Sequence, residues 1–471
     1  MADALASGAS VRKDVGVQVP PRPRHNLRNA VSPPSPPMTS SLAHRLAARE
    51  ATVGVLGLGY VGLPLAISFA EVGYGVVGFD VADTVVAGLN AGRSHIDDIA
   101  AERVRALRVN ESFHATSDAA DLTTCDVMFI CVPTPFDKAK TPDLSYVESA
   151  TRIVAKVLRR DMLVVLQSTT YPGTTTEFVR PILEETGLRA GTDFHLAFSP
   201  ERVDPGNTRW NVRNTPKVVG GLTPLCTELA KTLLLSLMDD PTLVRTVESP
   251  DVAEMAKLLE NTYRAVNIAL VNELAQLCHE MGIDVWSVID AAATKPFGFQ
   301  AFQPGIGPGG HCIPVDPFYL AWKAREYDFQ TRFIELAADI NDTMASYAIS
   351  RMQDMLNERS ISLRGANILC LGAAFKRGVS DVRNSRAIHV MELLRERGAV
   401  VSYCDPHVPE TRVSGQTLQS VSLDDVRSTN ADLVAVLVGG EWPLEALAKR
   451  EVAVFDAVNA GGAPGAHRQR L

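Results

Sequence analysis

The stretch that most limits how this chain can fold is "VGVLGLGYVGLPLA", residues 53–66. An apolar run ends in Gly57, Gly59 and Gly62, spaced G-x-G-x-x-G, and a second apolar run with helical character follows. The first glycine permits a tight turn, the second lets a pyrophosphate approach the backbone, and the third lets the helix pack on the strand. The helix N-terminus then faces the anion. Tyr60 and Val61 lie within this turn and are expected beside the cofactor. The next strand candidate, "YGVVGFDV" (74–81), brings Asp80 to its end, 18 residues past Gly62. An acid there accepts hydrogen bonds from a ribose 2′-OH and repels a 2′-phosphate, so NAD is expected over NADP. A glycine turn in a non-binding α/β protein is the competing reading, and the strand, helix and acid around it weigh against that.

Further apolar strands alternate with helical segments: "DVMFICVPTP" (126–135), "MLVVLQSTT" (162–170), "FHLAFSP" (194–200) and "PKVVGG" (216–221). That alternation predicts a parallel, doubly wound sheet. Residues 251–281 contain neither Gly nor Pro and read as one long helix that links two halves and offers a dimer face. A second strand set follows at 366–372, 400–406, 431–438 and 452–458. The expected fold is α/β, with two Rossmann-like doubly wound domains joined by a long central helix and a helical middle domain. The boundaries read as a disordered extension (1–47), an NAD-binding domain (48–247), a central helical domain (248–350), a C-terminal α/β domain (351–462) and a disordered tail (463–471). The extension is rich in Pro, Ser and Arg and lacks the apolar core of a secretory signal. Met38, just before the folded pattern, is a candidate native start.

Composition narrows the function. A net charge of -8 argues against a general nucleic-acid binder. No apolar run reaches the roughly 18 residues of a membrane span. The cysteines (Cys125, Cys131, Cys226, Cys278, Cys312, Cys370 and Cys404) are odd in number and lack a CxxC pair, as expected of reduced thiols in the cytoplasm. No zinc-like ligand spacing is present, and neighbours such as His311 and Cys312 rarely bind one zinc, so no metal is expected.

Loops at the carboxyl ends of the first sheet should line the cofactor crevice. They offer Thr134 in "CVPTP", and Ser168 and Thr169 in "QSTTYPGTT", although each could be an ordinary turn residue. On the long helix, Lys257 and Asn261 are four residues apart and share a face. A helical lysine is more often a solvated surface residue. In "GIGPGGHCIPVDPF" (305–318), Cys312 follows Gly305, Gly307, Gly309 and Gly310 and precedes Asp316. A free cysteine is more often core than reactive, but a core thiol rarely sits in a glycine loop that can press against a ligand. NAD takes a hydride from an alcohol; a thiolate could capture the aldehyde, lose a second hydride and leave a thioester for hydrolysis. Such a route needs a nucleophilic cysteine, an oxyanion donor and a carboxylate. Cys312, Lys257 with Asn261, and Asp316 are of those types, and Glu201 in "FSPERVDPGN" adds a second carboxylate.

With these residues in view, the chain resembles the UDP-glucose/GDP-mannose dehydrogenase family over roughly residues 50–460. The resemblance rests on "GLGYVGLPLA", "CVPTP", "STTYPGTT", "SPERVDPG", "EMAKLLENTYRAVNIALVNELA", "GGHCIPVDPFYL" and "GAAFKRGVSDVRNS". It implies a four-electron oxidation of a sugar C6 hydroxyl to a carboxylate with two NAD. By position it implies that Cys312 is the nucleophile, that Lys257 and Asn261 stabilise oxyanions, and that Asp316 positions water or acts as base. Thr169 and Glu201 would assist proton transfer and hydrolysis, and Thr134 and Arg383 would contact NAD. Phe375 and Lys376, with Gly309, would hold the nucleotide sugar, and the long helix would form a homodimer. "TKPFGFQAFQPG" and "SPERVDPG", with Pro205 where UDP-glucose enzymes carry an acid, resemble the bacterial UDP-N-acetylglucosamine 6-dehydrogenase branch. One departure is "PGIGPGGHC", which places Pro308 beside the cysteine loop. UDP-glucose, UDP-N-acetylmannosamine or GDP-mannose are alternative substrates. A catalytically silent sugar-nucleotide binder and a single-step hydroxy-acid dehydrogenase are the alternatives from other classes, and neither needs the cysteine.

Overall fold

The computed structural model describes residues 41–96, 99–137, 140–204, 206–207, 209–310, 313–461 and 467–471. Met38, Pro205, His311 and Cys312 lie outside the described residues.

The first domain is an eight-stranded sheet. Its strands are β1 (Thr52–Leu56), β2 (Gly75–Phe79), β3 (Phe113–Thr116), β4 (Val127–Ile130), β5 (Leu163–Leu166), β6 (His195–Phe198), β7 (Lys217–Gly221) and β8 (Val244–Val247). Their order is β3-β2-β1-β4-β5-β6-β7-β8, so the chain reverses direction across the sheet between β1 and β4. Ligands of such sheets bind at that switch point, outside the carboxyl ends of the strands. The residues of β4, β5 and β6 are all buried, as expected where helices cover both faces.

Two strands, β7 and β8, depart from the all-parallel expectation. β7 runs antiparallel to β6, pairing Phe198 with Gly220 and Ala197 with Gly221, and β8 is parallel to β7. Continuing that register toward the loop brings Glu201 opposite Lys217, and an ion pair forms there. The reversal thus gives a carboxylate just beyond the sheet a cation on the next strand.

The extension expected to be disordered through residue 47 is corrected at its end. Ser41–Ala48 is a helix whose Leu42, Ala43 and Leu46 are buried in the same core as β1. Asp161 accepts bonds from the Ser41 hydroxyl (2.6 Å) and the Leu42 N–H (3.0 Å), and Arg45 pairs with Asp126. The apolar residues are helically spaced, but the Pro- and Ser-rich run before them hid the signal.

The long central helix is Pro250–Glu280. The Ser249 side chain accepts from the Val252 N–H (3.3 Å), and Pro250 occupies the first turn, where no N–H is needed. It packs against the helix Arg332–Glu358, and the two are clamped by a buried pair, with the Asn272 amide donating to Asn341 (2.9 Å). Between them come the helices Val285–Ala293 and Asp316–Ala324.

The second α/β domain holds β9 (Asn367–Leu371), β10 (Val400–Cys404), a hairpin of β11 (Glu410–Val413) and β12 (Gln416–Gln419), then β13 (Leu433–Val436), β14 (Ala453–Asp456) and β15 (Arg468–Arg470). Its sheet is parallel, in the order β10-β9-β13-β14-β15. The strand β15 corrects the disordered tail expected at 463–471. Arg468 pairs with the buried Asp456, Arg470 reaches Asp284 (2.7 Å), and Leu471 is buried. A short polar segment can still order when its arginines find carboxylates distant in the chain, one of them buried, which local composition does not reveal.

Candidate active site

The glycine turn is built as its spacing demands. Gly57 has φ +88°, and a Cβ there would meet the Cys131 carbonyl oxygen at 2.7 Å. A Cβ on Gly62 would lie 1.8 Å from the Gly57 carbonyl oxygen, so the strand and the helix Gly62–Glu71 approach as closely as backbones can. Gly59 faces open space, with nothing within 4 Å of its Cβ position. Tyr60 and Val61 are half-buried in the same turn. Asp80 accepts from the N–H of Leu58 and of Ala82, both at 2.9 Å, so the acid expected to read the ribose holds the turn. These residues fit NAD: Gly59 and the helix N-terminus would accept the pyrophosphate, and Asp80 the ribose.

The other cofactor candidates converge here. The Arg383 guanidinium lies 4.6 Å from the centre of the Tyr60 ring and is bound to Asp381, so the second domain reaches the turn of the first. The Ser168 hydroxyl donates to the Val132 carbonyl (2.8 Å), joining the loops after β4 and β5. Thr134 is buried, and its carbonyl accepts from the Tyr319 hydroxyl (2.7 Å). Thr169 is half-buried. The next residue, Thr170, has a buried hydroxyl with no protein partner, as has Thr262 next to Asn261.

Lys257 and Asn261 are not solvated: both are buried on the inner face of the long helix. They face Asp316, the buried first residue of the helix Asp316–Ala324. The Asn261 amide donates to the Asp316 carboxylate at 2.5 Å. Burial pushes the Asp316 carboxyl up to about 6, against the downward pull of the Lys257 ammonium and the Asn261 amide. An acid poised there can exchange a proton near neutral pH.

The segment that leads to Cys312 is tied at each step. The Gly305 N–H donates to Asn272 (2.9 Å). Gly307 has φ +95° and lies against the Asn341 backbone, with 2.6 Å from its Cβ position to that carbonyl oxygen. The Pro308 carbonyl accepts from Arg386 (3.2 Å), which also pairs with Asp342. Gly309 and Gly310 pass beneath Phe375, where any side chain on Gly310 would press on the ring at 3.0 Å. Lys376, beside Phe375, pairs with Asp204 of the first domain (2.6 Å). The segment leading to Cys312 therefore meets Phe375 of the second domain, while Lys376 ties that domain to the first.

Glu201 is locked. Lys217 donates to both of its oxygens (2.9 and 2.8 Å), Gln167 to one (2.8 Å), and the N–H groups of Arg202 and Val203 to the other (2.8 and 2.9 Å). Burial works to raise this carboxyl, but the Lys217 ammonium and these hydrogen bonds override it and hold it below the usual range. Of the other cysteines, the six described are all buried. Burial pushes the Cys125 and Cys370 thiols up to about 12, which makes them poor nucleophiles.

Sequence reasoning missed Lys217, Arg386 and Glu254. Lys217 opens the "PKVVGG" strand and is 1% exposed, whereas a strand-end lysine ordinarily points to water. Glu254 lies three residues before Lys257 on the same buried face, so helical spacing from Lys257 would have found it.

A strand-turn-helix open to a pyrophosphate, with an acid at the neighbouring strand's end, defines a class: an oxidoreductase that binds NAD. Three family models then match in order: the NAD-binding domain of the UDP-glucose/GDP-mannose dehydrogenase family at residues 51–237, its central domain at 251–343 and its UDP-binding domain at 369–459. The chain is 39% identical over 361 residues to a UDP-N-acetyl-D-glucosamine 6-dehydrogenase of Pseudomonas aeruginosa, spanning 76% of this chain and 84% of that one. It is 40% identical over 363 residues to a UDP-N-acetyl-D-mannosamine dehydrogenase of Pyrococcus horikoshii, spanning 77% and 85%. A solved structure of a UDP-D-ManNAc dehydrogenase from Pyrococcus horikoshii superposes with a TM-score of 0.80 at 35% identity, covering 89% of this chain and 98% of that one. The chain belongs to the UDP-glucose/GDP-mannose dehydrogenase family. It is an NAD-dependent nucleotide-sugar dehydrogenase.

Proposed function

We propose that the chain oxidises the C6 hydroxyl of UDP-N-acetylglucosamine to the uronate, through a thioester on Cys312. The observation that carries this reading is the buried set of Lys257, Asn261 and Asp316, the last only four positions past Cys312 in the chain. Overall, one CH2OH, one water and two NAD give one carboxylate, two NADH and three protons. NAD held at the glycine turn and Asp80 would supply the hydride acceptor for each oxidation. Asp316, poised at about 6, takes the hydroxyl proton, directly or through a water. The Lys257 ammonium and the second N–H of the Asn261 amide offer charge and a donor to the oxygen as it becomes anionic. The Cys312 sulfur adds to the aldehyde carbon and leaves when water cleaves the thioester. Thr169, after β5, is suited to hold that water. Glu201, already ionised and bonded at both oxygens, suits a fixed charge that orders the 202–204 turn better than a proton shuttle. Phe375, Lys376 and Gly309 would hold the sugar nucleotide.

The choice of N-acetylglucosamine rests on "TKPFGFQAFQPG" and on the Pseudomonas relative; the equally similar Pyrococcus relative makes N-acetylmannosamine the second reading. NADH formation at 340 nm with each UDP-sugar and GDP-mannose decides. About two NADH per UDP-N-acetylglucosamine are expected from wild type, with no sustained turnover by Cys312→Ser. One NADH per sugar would sink the thioester route. Asp316 loses its charge as pH falls through about 6, so kcat/KM should fall on that side, while Glu201, held lower, stays ionised across that window.

The outer face of the long helix carries Val252, Met255, Leu259, Tyr263, Leu270, Leu274, Leu277 and Met281, all exposed and all three, four or seven residues apart. A stripe of this length on a helix marks an interface, and we assign it to a homodimer. Light scattering should report twice the chain mass for wild type and a shift toward one chain for Leu270→Asp; a monomeric wild type would refute it. The six described cysteines are buried and free of disulfides, which supports placement in the reducing cytoplasm.

A further inference from the structure

Glu254 is wholly buried on the long helix, three residues before Lys257 and seven before Asn261. Its carboxylate accepts from the Gly173 N–H (2.7 Å), the Thr175 N–H (2.9 Å) and the Thr175 hydroxyl (2.6 Å). All three donors belong to the segment that follows Thr169, where the chain turns through Gly173 (φ +97°) into the helix Thr174–Val179. Those N–H groups are the orphan donors of a helix start, which a local Ser, Thr or Asp ordinarily satisfies. Here the cap comes from another helix, some eighty positions along the chain.

The capped segment is also fastened to the helix that starts at Asp316. The Tyr171 ring packs against those of Tyr319 and Trp322, with centroids 6.5 and 5.0 Å apart, and Lys323 pairs with Glu177 (2.7 Å). One carboxylate therefore joins the Thr169 loop to the Lys257 helix, and aromatic packing joins that loop to the Asp316 helix. A buried carboxylate is costly to place, and burial pushes this one up to about 7 against the pull of its three donors. Among the described residues it has no ion-pair partner; the charged group that faces it from its own helix is Asp251, and the titratable group from the loop is Tyr171.

We propose that Glu254 is a positioning residue for the reaction: it sets the distance between the Thr169 loop and the helix carrying Lys257 and Asn261. The inference rests on the proposed roles of those residues. A shift of about 1 Å at such a site can cost on the order of 100-fold in rate.

The test compares wild type, Glu254→Gln, Thr175→Val and Thr175→Ser for kcat, for KM of NAD and UDP-sugar, and for hydrogen exchange over residues 168–179. Glu254→Gln keeps the reach but turns an N–H of its own toward the N–H donors. It should lower kcat by about 10- to 100-fold while each KM moves less than about 3-fold. Exchange should quicken in 168–179 and stay slow in β1. Thr175→Val should lower kcat several-fold, and Thr175→Ser, which keeps the hydroxyl, should restore it. If Glu254→Gln does not fold, the Thr175 pair decides alone. A Glu254→Gln enzyme with wild-type kcat, or Thr175→Ser as impaired as Thr175→Val, would overturn the proposal. Wild type inactive on every sugar would instead overturn the proposed reaction, and the exchange measurement, which needs no substrate, would still report on the tie.

Discussion

The two α/β domains begin alike and end differently. In the first, the Gly57 N–H donates to the Phe79 carbonyl (2.8 Å), Gly57 has φ +88°, and Asp80 at the end of β2 accepts from Leu58 and Ala82. In the second, the Gly372 N–H donates to the Cys404 carbonyl (2.8 Å), Gly372 has φ +94°, and Asp405 after β10 accepts from Ala373, Ala374 and His407. Each time the first strand turns on a left-handed glycine, and an acid from the second strand ties the turn.

The difference lies in what remains open. After Gly57 the chain passes Gly59, which faces empty space, and enters a helix at once, so N–H groups stay available to an anion. After Gly372 the two following N–H groups are both taken by Asp405, which is itself buried. The next helix, Arg386–Glu396, begins only after the segment 375–385. Phe375, Lys376 and Arg383 stand on that segment, with Arg386 just past it. The same scaffold thus leaves backbone N–H groups open in one domain, whereas in the other the acid takes them and a long segment bearing Phe375, Lys376 and Arg383 follows.

Substitution at the two turns can break this comparison. The largest effect is expected of Gly62→Ala, whose methyl would lie 1.8 Å from a backbone oxygen that no rotamer can move. It should cost at least about 1–3 kcal/mol of stability and abolish NAD binding. Gly59→Ala meets no protein atom, so stability should hold within about 0.5 kcal/mol while NAD binding weakens. Thermal melts with NAD titration separate the two, and equal melting losses would refute the open-turn account. A smaller effect is expected of Asp405→Asn. It should cost about 1–3 kcal/mol by leaving a buried N–H poorly matched, with NAD affinity unchanged. Asp80→Asn, whose amide would also face the Leu58 or Ala82 N–H, should cost stability as well but in addition erode the preference for NAD over NADP. If the two asparagine variants behave alike in both assays, the acids have the same job and the contrast fails.

Much of this was legible because it is local. The glycine spacing, Asp80 at a strand end, and Lys257 with Asn261 on one helical face are patterns within a few residues, written by backbone sterics and helical period. The limits of legibility show in particular residues. Leu42, Ala43 and Leu46 kept a helical spacing that the neighbouring prolines masked. Arg468 and Arg470 looked like a polar tail until Asp456 and Asp284 gave them partners.

By itself the sequence determined a two-sheet α/β chain with an NAD turn, a long linking helix, and a glycine-rich cysteine segment read as a loop able to press against a ligand. Tertiary structure alone decided that β7 reverses and puts Lys217 against Glu201, that Arg386 holds the Pro308 carbonyl, and that Glu254 caps a distant helix start. The physical reason is clearest for the buried Lys217 and Glu254. A buried charge is tolerated only where partners meet it, and those partners come from strands and helices far apart in the chain, where no sequence period connects them.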